Sequence, residues 1–185
     1  NRVRSSFSVS VVKIGMLATA ENVRAVCDFL RAQPNIPVIV DPVLRASAGP
    51  ALLSEEGVEV MKEELFPLAT LVTPNLPEIE TLLGRFTDAK SAARQFHETF
   101  ACDVLVKGGH SRDVSDQIVD HAWIEGEAIE FAHTRLPLPD LHGTGCTLAS
   151  AIAAQLALGQ SLRSAVGLAI TYLGRCMEQH FIWPD

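Results

Sequence analysis

Three short apolar runs in this chain each stop abruptly on a polar residue and a turn former. Residues 36–40 run into Asp41-Pro42, residues 71–73 into Pro74-Asn75, and residues 104–106 into Lys107-Gly108-Gly109. Each run is too short for a helix and carries little polar character, the pattern of a strand covered on both faces. Residues 8–16 are also β-branched and apolar and read as a first strand.

Helical stretches separate these runs. Val23, Val26, Phe29 and Leu30 recur at helical spacing within 19–33, with Thr19 or Ala20 near the start. Ser54 caps a helix reaching to about residue 66, with Glu55 and Glu56 suited to its first turn. Pro77 opens a short helix over 77–83 that Gly84 ends, and 88–100 forms another. Four strand–helix alternations predict an α/β fold with a mainly parallel sheet and helices on both faces, in one domain over 1–185.

The pattern changes after Gly109. Residues 118–124 and 128–131 flank Glu125-Gly126-Glu127 and read as a β-hairpin, followed by an extended Leu136-Pro137-Leu138-Pro139 segment. A Gly-rich turn, His142-Gly143-Thr144-Gly145, leads into a helix over 146–158 that is apolar nearly all round and is expected to be buried. Gly159 ends it, and Ser161 caps a last helix to about 179.

In a parallel sheet, ligands bind at the carboxyl ends of the strands. Asp41, Asn75, Lys107 with Gly108-Gly109, and the loop around Gly143 all fall there, which is the main sign of an active site. Fifteen Lys and Arg against 22 Asp and Glu give a net charge of −7, which argues against a nucleic-acid surface but not against a nucleotide ligand. Cys27, Cys102, Cys146 and Cys176 show no Cys-x-x-Cys spacing and no nearby His, so they read as reduced thiols, three of them in the core. No apolar run of about eighteen residues predicts a membrane span, and no segment reads as a signal peptide, so a cytoplasmic setting is expected.

Gly143-Thr144-Gly145-Cys146 before a helix allows backbone amides to approach an anion, aided by the helix dipole. A thiol there is expected to have a lowered pKa and to serve as a base beside the anion. The same tetrapeptide also reads as a glycine turn with a buried Cys in a tight helix contact. Asn75 and Glu78, as N-x-x-E at a strand-to-helix turn, can hold magnesium through water, or can simply start a helix. Lys107 ends a buried strand and needs an anion or water; it suits a polyphosphate, or it reaches out to solvent. Asp41 can help hold the metal, or can simply form a turn before Pro42. His142 and His110 read as loop hydrogen-bonding groups, and His97, His121, His133 and His180 as structural or surface residues. Met16 reads by default as core packing.

His142-Gly143-Thr144-Gly145-Cys146-Thr147-Leu148 resembles the signature of hydroxymethylpyrimidine/phosphomethylpyrimidine kinases. So do Val12-Lys13-Ile14-Gly15-Met16-Leu17, Asp41-Pro42-Val43-Leu44, Thr73-Pro74-Asn75-Leu76-Pro77-Glu78 and Val106-Lys107-Gly108-Gly109-His110, in the family's order over about 12–173. The resemblance implies a ribokinase-like fold and ATP- and magnesium-dependent phosphorylation of a pyrimidine alcohol and then of its monophosphate, in thiamine synthesis. Cys146 would be the catalytic base, with Gly143, Thr144 and Gly145 as its anion hole. Lys107, Gly108, Gly109, Thr144 and Asn75 would hold nucleotide, and Asp41, Asn75 and Glu78 would hold the metal. Gly15, Met16 and Cys146 would line the substrate pocket. A small-molecule partner and a tendency to dimerise follow from the same resemblance.

The chain departs from the family at Ser47-Ala48-Gly49-Pro50, where Lys-Ser-Gly-Asp is usual, and at Asp140-Leu141, where Asn-Thr is usual. It also opens on Asn1 and shows none of the family's leading Gly-rich loop and Gln-bearing segment, so an upstream segment is expected to be absent from it and these 185 residues by themselves are not expected to be a competent kinase. Pyridoxal kinase of the same superfamily, hydroxyethylthiazole kinase and a non-catalytic nucleotide-binding fragment are the rival readings.

Overall fold

The computed structural model describes residues 7–46, 49–84, 86–110, 116–138 and 141–179. Ser47, Ala48, Asp140 and His180, singled out above, lie outside the described residues. Strand β1 (Val12–Ile14) leads to α1 (Ala20–Arg31), which starts where the Thr19 side chain accepts the Asn22 N–H. Strand β2 (Val38–Val40) is followed by α2 (Glu55–Val60), capped by Ser54, which runs on as a wider turn (Met61–Leu65) and a tighter one (Phe66–Leu68). Strand β3 (Leu71–Val72) precedes α3 (Leu76–Leu83) and α4 (Ala89–Phe100), each opened by a reciprocal capping box, Asn75 with Glu78 and Asp88 with Ser91. Strand β4 (Asp103–Val106) leads through a short turn (Gly108–His110) towards β5 (Gln117–Ile124) and β6 (Glu127–Thr134). Helices α5 (Thr144–Ala157) and α6 (Leu162–Glu178) complete the described chain.

The strands form one sheet in the order β1-β2-β3-β4-β5-β6. The first four are parallel and the last two antiparallel. Glu125 and Gly126 both have positive φ, 54° and 82°, the geometry a two-residue hairpin turn requires. Alternate residues of each strand serve opposite layers. Val38, Val40, Val72, Val104 and Val106 pack under α1 to α4, where Phe66, Phe96 and Phe100 stack with centroids 4.7–5.3 Å apart. Ile39, Leu71 and Leu105 face the other way, against Leu148, Ile152, Ala165 and Val166 of α5 and α6.

Three local expectations are corrected. The first strand is not 8–16: only Val12–Ile14 pairs, because β2 offers three partner residues and the chain leaves the sheet at Gly15. Helix α5 is apolar nearly all round but buries only one face, Leu148, Ala149, Ile152 and Ala153, and Leu158 beyond its end is exposed, because the layer has α6 on one side only. Cys27 and Cys102 are buried as expected, but Cys176 is exposed on α6, so two cysteines rather than three are in the core. No helix among the described residues is long and apolar enough to cross a membrane.

Candidate active site

The carboxyl ends of β2, β3 and β4 bring Asp41, Asn75 and Lys107 together. Lys107 Nζ lies 3.1 Å from Asp41 Oδ1, and both side chains are largely buried. Asn75 and Lys107 form an isolated parallel bridge beyond their strands, so the two loops continue side by side. Helix α5 arrives from the opposite layer with its first turn over this row. A Cβ on Gly145 would lie 3.0 Å from Lys107 Nζ and 3.8 Å from each Asp41 carboxylate oxygen. Glycine there keeps the helix start open to the ion pair.

Gly143 caps α5 with φ 86° and no side-chain cap. The other five α-helices among the described residues are all capped by a side chain, from Thr19, Ser54, Asn75, Asp88 and Ser161. The amides of Thr144, Gly145 and Cys146 are therefore the ones left for an anion. Cys146 itself is exposed. Burial of part of its surroundings and the adjacent Asp41 carboxylate hold its thiol above the ordinary value, with Lys13 and Lys107 pulling the other way. The expected lowering at a helix start is thus reversed, first by burial and then by the Asp41 carboxylate.

Asn75 and Glu78 are the capping pair of α3. Asn75 N donates to Glu78 Oε2 at 2.8 Å, and Glu78 N donates to Asn75 Oδ1 at 2.8 Å. Glu78 is 8% exposed, and burial pushes its carboxyl up to about 7 despite Lys107 and two backbone N–H groups. A buried carboxyl short of positive charge, close to Asp41, fits a cation. Among the described residues no group of three or more His, Cys, Asp or Glu could hold a metal. Asp41, Asn75 and Glu78 are the oxygen-bearing side chains here that could hold magnesium, with water and phosphate supplying the rest of its shell. Thr73, fully buried just after β3, keeps a hydroxyl without a hydrogen-bond partner.

Two residues that the sequence reading did not single out belong to this region. Asp120 on β5 is 4% exposed and accepts the Gly108 N–H at 2.7 Å, while its other oxygen lies 3.2 Å from His133 Nε2. It fixes the start of the Gly108-Gly109 turn, and His133, bonded to it, has the structural role expected. Lys13 is the other. Its Nζ lies 2.9 Å from where a Gly15 Cβ would be. Gly15 and Met16 line a groove of about 520 Å³ along the free edge of β1, and Met16 is 59% exposed, not packed in the core. Among the remaining histidines, His142 is exposed in the turn before α5, His97 bonds the Cys102 carbonyl at 3.1 Å, and His121 lies 3.8 Å from Glu130.

The sequence profile of the phosphomethylpyrimidine kinases matches residues 1–183 of this chain. The chain belongs to the phosphomethylpyrimidine kinase family. A bifunctional thiamine-biosynthesis protein of Geobacter sulfurreducens is 44% identical over 92% of the chain, which covers 35% of that protein. A hydroxymethylpyrimidine/phosphomethylpyrimidine kinase of Haemophilus influenzae is 35% identical over 92% of the chain and 66% of its own length. The chain thus spans between about a third and two thirds of these relatives. Its fold is ribokinase-like: a pyridoxal kinase of Staphylococcus aureus, solved with AMP-PCP and pyridoxal, superposes with a TM-score of 0.85 at 28% identity, covering 100% of this chain and 67% of that one. In the phosphomethylpyrimidine kinase family member described here, the motif residues Asp41, Asn75, Lys107 and Gly145 lie at one edge of one sheet, as their strand-end positions suggested. Gly15 and Met16 lie further along that edge, at the end of β1.

Proposed function

We propose that this chain carries the phosphoryl-transfer site of an ATP-dependent kinase that phosphorylates 4-amino-5-hydroxymethyl-2-methylpyrimidine and then its monophosphate. One observation carries the proposal: the uncapped start of α5 faces a buried Lys107–Asp41 pair, with a thiol beside both. Relatives at 44% and 35% identity bear a thiamine-biosynthesis and a pyrimidine-kinase name, whereas the pyridoxal kinases among the solved structures match at 26–30%, which favours the pyrimidine.

Lys107 and the amides of Thr144, Gly145 and Cys146 bind and orient the transferring phosphoryl group, with Gly108 and Gly109 beside the rest of the nucleotide. Donors fixed in a partly dry site stabilise the charge that develops during transfer. Cys146 Sγ, in its thiolate form, takes the proton of the hydroxymethyl group, whose oxygen then bonds the γ-phosphorus as the bond to ADP breaks with its electron pair on ADP. Asp41 holds Lys107 and stands beside the thiol. Magnesium, when bound near Asp41, Asn75 and Glu78, supplies charge neutralisation of the phosphates. Gly15 and Met16 lie on the side from which the pyrimidine approaches.

The test is an ATP-coupled assay of this chain, and of the full-length protein, with the pyrimidine alcohol, its monophosphate and pyridoxal. Turnover of the two pyrimidines above pyridoxal is expected from the full-length protein, and little turnover from these 185 residues by themselves, which span only part of the relatives' length. Preference for pyridoxal would move the assignment to the sister activity, and nucleotide binding by the full-length protein without turnover of any acceptor would make the chain a binding fragment.

A further inference from the structure

We propose that Lys13 is the acceptor-side cation, holding the phosphate of an already phosphorylated acceptor and so setting the preference for the monophosphate over the parent alcohol. The inference rests on the kinase reading above.

Lys13 lies in the middle of β1, in register with Ile39, which packs beneath α5 and α6. Residues in register on parallel strands share a face, so Lys13 points to the layer that carries Cys146. Its ammonium reaches along the strand into the space that Gly15 leaves empty, 2.9 Å from where a Cβ would stand. The side chain is half-buried and makes no ion pair among the described residues. Lys107, by contrast, is already held by Asp41. A partly buried ammonium without an anion is costly unless water or a ligand meets it.

The order of groups along the sheet edge assigns the side. Lys107, with Gly108 and Gly109, stands just beyond the end of β4, while Lys13 stands on β1 with Gly15 and Met16 just beyond its end. The two strands are three spacings apart, roughly 14 Å. Gly145 lies by Lys107 and Asp41, and the Cys146 thiol feels both Lys13 and Lys107. The point of transfer therefore falls between the two lysines. If Lys107 attends the donor, Lys13 attends the acceptor.

The two acceptors ask for different help. The alcohol is uncharged and must lose a proton to a base. The monophosphate carries about −1.5 to −2 near pH 7 and attacks through an oxygen that is already anionic. That oxygen bonds the γ-phosphorus, the bond to ADP breaks with its electron pair on ADP, and a diphosphate results. Bringing this anion to the γ-phosphate is opposed by like charge, which an ammonium on the acceptor side offsets. The alcohol offers Lys13 no such group.

The experiment measures binding of the pyrimidine alcohol and its monophosphate by calorimetry, and kcat/KM for both, in the wild-type chain and in Lys13→Met, Lys13→Arg and Gly15→Ala. The wild type is expected to bind the monophosphate at least tenfold tighter than the alcohol. Lys13→Met is expected to lower that preference, and the ratio of the two kcat/KM values, at least tenfold. Lys13→Arg restores part of it. Gly15→Ala, which keeps the charge but crowds Nζ, lowers it to an intermediate degree. A Lys13→Met chain that keeps the preference, or that loses both acceptors equally, overturns the proposal, as does a wild type that binds both alike. A wild type that binds with the expected preference but turns over neither acceptor would sink the kinase reading while leaving Lys13 assigned.

Discussion

Cys146 stands beside a carboxylate and within the field of two ammonium groups, and the balance leaves its thiol harder to ionise than usual. Near neutral pH such a thiol is mostly protonated, so on the proposed function only its thiolate fraction can accept the proton of a bound hydroxyl. Cys146→Ala is expected to lower turnover of the alcohol by about two to four orders of magnitude, with ATP binding little changed. Equal rates in wild type and variant would reduce Cys146 to a packing residue. Glu78 gives a second prediction. Its carboxyl is raised from 4.5 to about 7 in the folded chain, so between those values the folded state binds more protons than the unfolded state. Its contribution to stability is complete below the lower value and is lost as pH rises through the upper one. In metal-free buffer with chelator, the unfolding free energy is expected to fall by roughly 1–3 kcal/mol from pH 5 to pH 7.5. Glu78→Gln, which can still cap α3, is expected to flatten that slope. A wild-type profile that is flat or rises over this range would contradict the burial argument. At this scale Asp41, Asn75 and Lys107 were legible because each ends an apolar run. Lys13 and Asp120 were not, because they lie within strands, and which layer such a residue faces depends on register.

The helix boundaries were legible because side chains write them: Thr19, Ser54, Asp88 and Ser161 each accept an N–H at a helix start. The start of α5 was missed by two residues, since no side chain caps it and Gly143 supplies the turn through its backbone. The Gly108-Gly109 turn shows how neighbouring glycines can differ. A Cβ on Gly108 would lie 2.1 Å from the Val119 carbonyl oxygen, whereas one on Gly109 would meet nothing within 4 Å. Gly108→Ala must therefore force β4 and β5 apart, at a cost of about 2 kcal/mol or more. Gly109→Ala is expected to fold normally and, on the proposed function, to weaken ATP binding severalfold, because the proposal puts the nucleotide on its open side. Denaturant unfolding and ATP titration of the two variants check both halves. A stable Gly108→Ala chain would mean that the hairpin can shift to accommodate it.

Across the whole molecule, the Lys107–Asp41 pair ties β4 to β2 over the intervening strand. Removing one partner leaves the other charge buried, which typically costs about 3–5 kcal/mol. Lys107→Ala is thus expected to lower both stability and ATP affinity, and the double variant Lys107→Ala/Asp41→Asn to recover stability alone. If ATP at a hundred times its Kd raises wild-type stability by about 2.7 kcal/mol, the double variant at the same concentration is expected to gain far less. An equal gain would place the nucleotide away from Lys107. The parallel sheet and its two layers were legible in the alternating runs. The strand order and the single change of layer were not, since they depend on contacts between distant segments. That change has a consequence for how the molecule comes into being. Helices α1 to α4 cover one side of the sheet, and only after the β5–β6 hairpin does the chain cross to the other. During vectorial synthesis, at about 5–20 residues per second, the half-site bearing Asp41, Asn75 and Lys107 emerges first, and the amides that complete it arrive only with α5. If the proposed phosphate site is right, a nascent chain is blind to phosphate until its second layer docks, and nucleotide capture would report that docking.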